Sequence, residues 1–119
     1  MEKPITLTAT ESTLDLKLGS ESVQMTAEEV TELMNALCGM REKMLPQHQT
    51  AAPTGLVHGV RVDPRWAVGP DEMHGGVLLR FLHSGFGWVV FQMPPNEAKN
   101  LSSGLLFAMD QQPAPSAKN

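Results

Sequence analysis

The spacing of apolar residues in this chain changes twice, from every second position to every third or fourth. Leucine alternates with charged residues over 14–18, and apolar residues then recur at spacings of three and four over 30–44. A similar change separates residues 77–93 from residues 98–109. A period of two predicts strands, whereas spacings of three and four predict an amphipathic helix. The chain is therefore expected to form a group of strands followed by a helix, and to do so twice.

The first half has clear boundaries for these elements. Alternation predicts strands at residues 5–10, 14–18 and 23–25, with a turn at Gly19-Ser20-Glu21-Ser22. Thr26 is the predicted N-cap of the first helix, and Glu29, three residues later, completes a capping box. The apolar stripe of this helix passes through Leu33 and Leu37.

The second half repeats this order. Strands are predicted at residues 56–62, 65–68, 77–83 and 88–93, and Pro95 suits the first position of a second helix, with Leu105 in its apolar stripe. Together the two halves predict an α+β fold with two helices and an antiparallel sheet of about six or seven strands.

The halves also align at a constant offset of 68 residues. Gln24 and Met25 match Gln92 and Met93, and Glu29 matches Glu97. We interpret this as a duplicated strand-strand-(strand)-helix module. The alternative is one α+β domain in which the similarity is coincidental.

Composition divides the chain into segments. We expect a single α+β domain over residues 1–110, made of module one at 4–44, a Pro- and Gly-containing linker at 45–55 and module two at 56–110. Residues 111–119 hold two prolines among small polar residues and are predicted to form a flexible C-terminal tail.

The strands of module two are apolar on both faces, unlike those of module one. Leucines alternate with other apolar residues over 77–83, and the run Trp88-Val89-Val90-Phe91 has no polar member. Strands of this kind are covered on both sides, and an uncovered apolar patch marks an interaction surface. We expect this surface to include Leu78, Leu82, Val89 and Phe91, and to bind a second copy or a protein partner. Closure of a curled sheet over its own residues is the alternative.

No pattern in the chain points to catalysis. The single cysteine, Cys38, lies mid-helix without a neighbouring base that would activate it. His58, His74 and His83 have no spacing typical of a metal site. No phosphate-binding loop or nucleophile elbow occurs. We therefore predict no catalytic residues, no metal and no cofactor.

A second class of function is single-stranded nucleic-acid binding. Such surfaces combine cationic and stacking aromatic side chains, and module two offers Arg61, Arg65, Arg80, Trp66 and Trp88. The net charge of −4 disfavours this hypothesis, because phosphate binding requires an excess of positive charge.

The favoured hypothesis is a non-catalytic protein-interaction or assembly module, acting as a homodimer or with a protein partner. Single-strand nucleic-acid binding is the alternative, and a small-molecule- or metal-binding enzyme comes third. The first residues lack the basic and long apolar regions of a signal peptide, and no apolar run approaches the roughly 20 residues that span a bilayer. We expect a cytoplasmic protein without a membrane partner.

Overall fold

A computed structural model describes residues 4–55 and 59–112 of the chain. The chain divides into two units, residues 1–58 and 59–119. In the described residues, each unit has three antiparallel strands in the order of the sequence, followed by one helix. The predicted α+β class is confirmed, and the six strands divide between two three-stranded sheets. That the two modules form one domain, and that they arose by duplication, stay predictions.

The first unit begins with two hairpins. Its elements are β1 Ile5–Ala9, β2 Thr13–Leu18, β3 Glu21–Thr26 and α1 Ala27–Arg41. Gly19 and Ser20 connect β2 to β3, and Gly19 has a φ of 63°. Glycine at the first central position of a two-residue connection is typical of the turn whose twist matches that of the paired strands. The turn therefore sets the register of Leu18 opposite Glu21.

This register sorts the side chains of the first sheet by polarity. Directly opposite residues of antiparallel strands share a face. Leu7, Leu16 and Val23 therefore form one cross-strand row on an apolar face, while Thr8 and Asp15 lie on the other face. The register thus places the apolar and polar side chains of these strands on opposite faces of the sheet.

Helix α1 starts as its capping residues predict. The Glu29 N–H donates to Thr26 Oγ1 at 3.2 Å, and the Thr26 N–H donates to Glu29 Oε1 at 2.9 Å. The helix packs against β3 and β2. Val30 and Leu33 in its first half are half-buried, whereas Leu37 remains more than half exposed. Only the first half of the apolar stripe is thus covered.

The second unit has longer strands. Its elements are β4 Trp66–Pro70, β5 Val77–His83, β6 Gly87–Met93 and α2 Pro95–Asp110. The strand predicted at residues 56–62 does not form over 59–62, and residues 56–58 lie outside the described part of the chain. Gly59 and Asp63 both have positive φ, which interrupts an extended strand. Of the predicted tail, Gln111 and Gln112 follow α2 as a turn, and residues 113–119 lie outside the described part.

The connection between β5 and β6 is held by a histidine. His83 Nδ1 accepts the N–H groups of Gly85 at 2.9 Å and Phe86 at 3.0 Å. The ring centroids of His83 and Phe86 are 4.7 Å apart. Gly87, the first residue of β6, has a φ of 81°, in the left-handed region that glycine adopts without steric cost. His83 therefore has a structural role at this turn.

Helix α2 lacks the capping arrangement of α1. Its N-cap is Pro94, which makes no side-chain capping bond, and Pro95 occupies the first helical position. Glu97 cannot complete a capping box because Pro94 has no N–H to donate. Among the residues of α2 only Ala98 is half-buried, and Leu105 is more than half exposed. The predicted apolar stripe lies on a helix, as expected. The other residues of the second unit leave most of this stripe exposed.

Candidate interaction surface

One face of the second sheet is apolar except at its end, where His83 lies opposite Gly87. The register pairs Trp66 with Phe81 and Phe81 with Val89, and the next rows continue in the same way. Trp66, Val68 and Phe91 are each more than half exposed. We call this the apolar face; its nine members are Trp66, Val68, Pro70, Val77, Leu79, Phe81, Val89, Phe91 and Met93.

The opposite face, called here the mixed face, combines apolar, amide and cationic side chains. Its central strand contributes Leu78, Arg80 and Leu82. The Leu82 N–H donates to the Arg65 carbonyl at 2.9 Å, which places Arg65 opposite Leu82 just before β4 begins. The complete set is Arg65, Ala67, Gly69, Leu78, Arg80, Leu82, Trp88, Val90 and Gln92.

The four residues predicted for an interaction surface are divided between these faces. Leu78 and Leu82 lie on the mixed face, whereas Val89 and Phe91 lie on the apolar face. They therefore do not form one continuous patch. Sequence reasoning did not include Trp66 and Val68, because β4 is short and its alternation is interrupted by Gly69.

The residues predicted for a nucleic-acid patch are partly brought together. Arg65, Arg80 and Trp88 share the mixed face, around Leu82. The Arg80 guanidinium lies over Gly69 of the neighbouring strand, where no side chain obstructs it. Trp66 is on the apolar face, and Arg61 is in the irregular segment before β4. Only three of the five predicted residues therefore lie on the same face of the sheet.

The loop between β4 and β5 is organised by Asp71, the one buried polar residue in the described part of the chain. Asp71 Oδ1 accepts the N–H groups of Met73 at 3.0 Å and His74 at 3.1 Å. His74 Nδ1 lies 2.9 Å from Asp71 Oδ2, and the His74 side chain is otherwise mostly exposed. The carboxylate thus replaces the backbone partners that a strand would supply to these amides.

Opposing effects act on the Asp71 carboxyl. Burial raises its pKa, because removal from water disfavours the charged form. Hydrogen bonds from the His74 backbone, the His74 ring and the Met73 backbone favour the charged form, and together they leave the pKa below its ordinary value. Asp71 is therefore a carboxylate that stabilises the loop.

The same loop is attached to β6. Gln92 Nε2 donates to the Gly75 carbonyl at 2.8 Å. Gly76, with a φ of 75°, approaches so closely that a Cβ atom there would lie 2.0 Å from the Met93 carbonyl oxygen. The hydrogen bond between Gln92 and Gly75 joins residues 17 apart, so no local sequence pattern marks it.

These side chains form no recognisable catalytic or metal-binding arrangement. In residues 4–55 and 59–112, no three His, Cys, Asp or Glu side chains come together as they would around a metal ion. Asp71 and His74 are a close pair without a neighbouring nucleophile, and Cys38 is an exposed free thiol on α1. His58 lies outside the described residues.

Comparisons with known proteins provide no family for this chain. No family model matches it, and no curated protein or solved structure is significantly similar. Neither described helix is long and apolar enough to cross a membrane.

Replacing Gly76 with Ala should destabilise the protein much more than replacing its neighbour Gly75. Both glycines have positive φ, which costs an L-residue about 1–2 kcal/mol. A Cβ at position 75 would meet nothing within 4 Å, whereas one at position 76 would collide with the Met93 carbonyl. Urea denaturation of both variants measures the difference. Equal losses of unfolding free energy would contradict the close approach of the loop to β6.

Replacing Asp71 with Asn should remove part of the protein's stability at neutral pH. The folded-state pKa of Asp71 lies below its ordinary value, so its contribution is present above that ordinary value. It is lost as the pH falls through the lowered pKa. The difference in urea midpoint between wild type and Asp71→Asn should therefore narrow on acidification. A constant difference across that range would show that the charge of Asp71 does not stabilise the loop.

Proposed function

We propose that this protein is a non-catalytic association module, and that two copies of the chain associate through the sheet of the second unit. The observation that carries this proposal is the apolar face, on which Trp66, Val68 and Phe91 are more than half exposed. Continuous exposed patches of this kind usually mark binding surfaces.

The free energy available from these side chains is of the same order as the cost of association. Fully burying one large apolar side chain contributes about 1.5–3 kcal/mol. Association costs roughly 4–15 kcal/mol in lost translational and rotational freedom. Burial of several members of the apolar face, such as Val89 and Phe91 from each copy, would offset that cost.

The distribution of charge supports a second copy as the partner. Residues 51–119 contain five Lys or Arg and five Asp or Glu, whereas residues 1–50 contain four and eight. Self-association through the second unit therefore brings together two neutral segments and avoids the like-charge repulsion of the first. The exposed thiol of Cys38 fits a reducing compartment, so the proposal places this association in the cytoplasm.

A second candidate function rests on the mixed face. Arg65, Arg80 and Trp88 share that face, which is the combination used to bind phosphates and stack bases. Fluorescence anisotropy with a labelled single-stranded oligonucleotide would test it. Binding that weakens with salt and with Arg80→Ala would favour this function. The absence of binding at low salt would reject it.

Replacing Phe91 with Lys should dissociate the pair, because a charge would enter the apolar face where the copies meet. Sedimentation at micromolar concentration should give about twice 13.0 kDa for wild type and 13.0 kDa for the variant. Met73→Lys is the matched control, since Met73 is 85% exposed in the β4–β5 loop and lies off both faces. A monomeric wild-type protein would overturn the proposal.

A further inference from the structure

We propose that two copies of the chain pair edge to edge through β6, forming one continuous six-stranded antiparallel sheet. This inference rests on the proposed function, self-association of the second unit, and specifies its geometry. The occupant of the β6 edge is β6 of a second copy.

Strand β6 is an edge without the usual protection. Within the described ranges it pairs with β5 and with no other strand. Its seven residues, Gly87–Met93, include no charged residue and no proline. Natural edge strands are normally short, charged or interrupted, since a free edge is a template for another strand. By contrast, β4 has five residues and ends in Gly69-Pro70, and β3 begins with Glu21.

The hydrogen bonds of the central strand show which groups of β6 are free. The Leu82 N–H donates to Arg65, so the peptide groups of Leu82 point toward β4. Leu82 and Trp88 are therefore a pair without mutual hydrogen bonds, and the N–H and C=O of Trp88 point outward. The side to which the backbone N–H and C=O groups point alternates from one residue to the next along a strand. The N–H and C=O groups of Val90 and Gln92 therefore also point outward, away from β5.

These groups are self-complementary about a two-fold axis through Val90. Antiparallel pairing centred there sets Trp88 opposite Gln92 of the second copy and Val90 opposite its own equivalent. Every outward N–H of the three residues then meets an outward C=O, giving six hydrogen bonds from three residues in each copy. Because β6 contains no charged residue, no charge repulsion opposes this pairing.

The same register also joins the apolar faces. Val89 of one copy lies opposite Phe91 of the other, on the same side of the continuous sheet. Aromatic and β-branched residues in such cross-strand positions stabilise a sheet. The backbone pairing thus determines the geometry, and Val89 and Phe91 of each copy add apolar contacts along the seam, while Trp66 and Val68 on β4 lie away from it.

A disulfide test uses the centre of this seam. In the full-length protein with Cys38→Ala, Val90→Cys should form a cross-linked dimer under mild oxidation at micromolar concentration. The expected Cα–Cα distance, about 5.5 Å, suits a disulfide. Val68→Cys on the edge strand β4 is the matched control, since Val68 is 53% and Val90 49% exposed. We expect Val68→Cys to cross-link at least tenfold more slowly than Val90→Cys. Equal or faster cross-linking of the control would overturn the proposal.

A backbone test separates edge pairing from side-chain association. Val90→Pro removes an N–H that makes no bond to β5, whereas Val90→Ala shortens the side chain and keeps that N–H. We expect the proline variant to sediment as a monomer with a wild-type circular dichroism spectrum, and the alanine variant to remain dimeric. If Val90→Pro does not fold, the comparison of cross-linking rates between Val90→Cys and Val68→Cys tests the edge pairing instead.

The two proposals fail in different ways. A wild-type monomer would reject both self-association and edge pairing. A dimer that Phe91→Lys dissociates, but that a folded Val90→Pro leaves intact, would retain self-association and reject pairing through β6.

Discussion

The organisation of the second unit depends on the register that sets Leu79 of β5 opposite Val68 and Phe91. Because side chains alternate between faces, a slip of one residue would move Leu79 to the mixed face and place Arg80 on the apolar face. Local features at both ends of β5 oppose such a slip. Gly76 contacts the Met93 carbonyl at one end, and the hairpin closed by Gly87 limits the other.

The two units show how one order of elements can give different surfaces. In the first, the capping box starts α1, and Val30 and Leu33 are half-buried. In the second, the offset of 68 residues sets Pro94 in the place of Thr26, so the reciprocal capping bonds are lost. A shared ancestor would explain the order of the elements. The present differences lie in how much of each helix its own unit covers.

Periodicity predicted the type of most elements, because strand alternation and helical spacing depend on neighbours along the chain. The capping box at Thr26 was predictable for the same reason. The exposure of Leu37 was not, since a stripe identifies one side of a helix and not what packs on it. Nor was the meeting of Arg65, Arg80 and Trp88 on one face, which depends on strand pairing. The role of Asp71 depends on a three-residue turn that no periodic pattern marks.

No apolar side chain in the described part of the chain is fully buried, including those of both helical stripes. If the proposed self-association covers these side chains, folding and assembly become linked equilibria. The thermal midpoint then rises with protein concentration. In a cell, the rate of synthesis would set the folded fraction as well as the amount of protein. Dilution or low expression would leave chains open to proteolysis, and abundance itself would act as a control on activity.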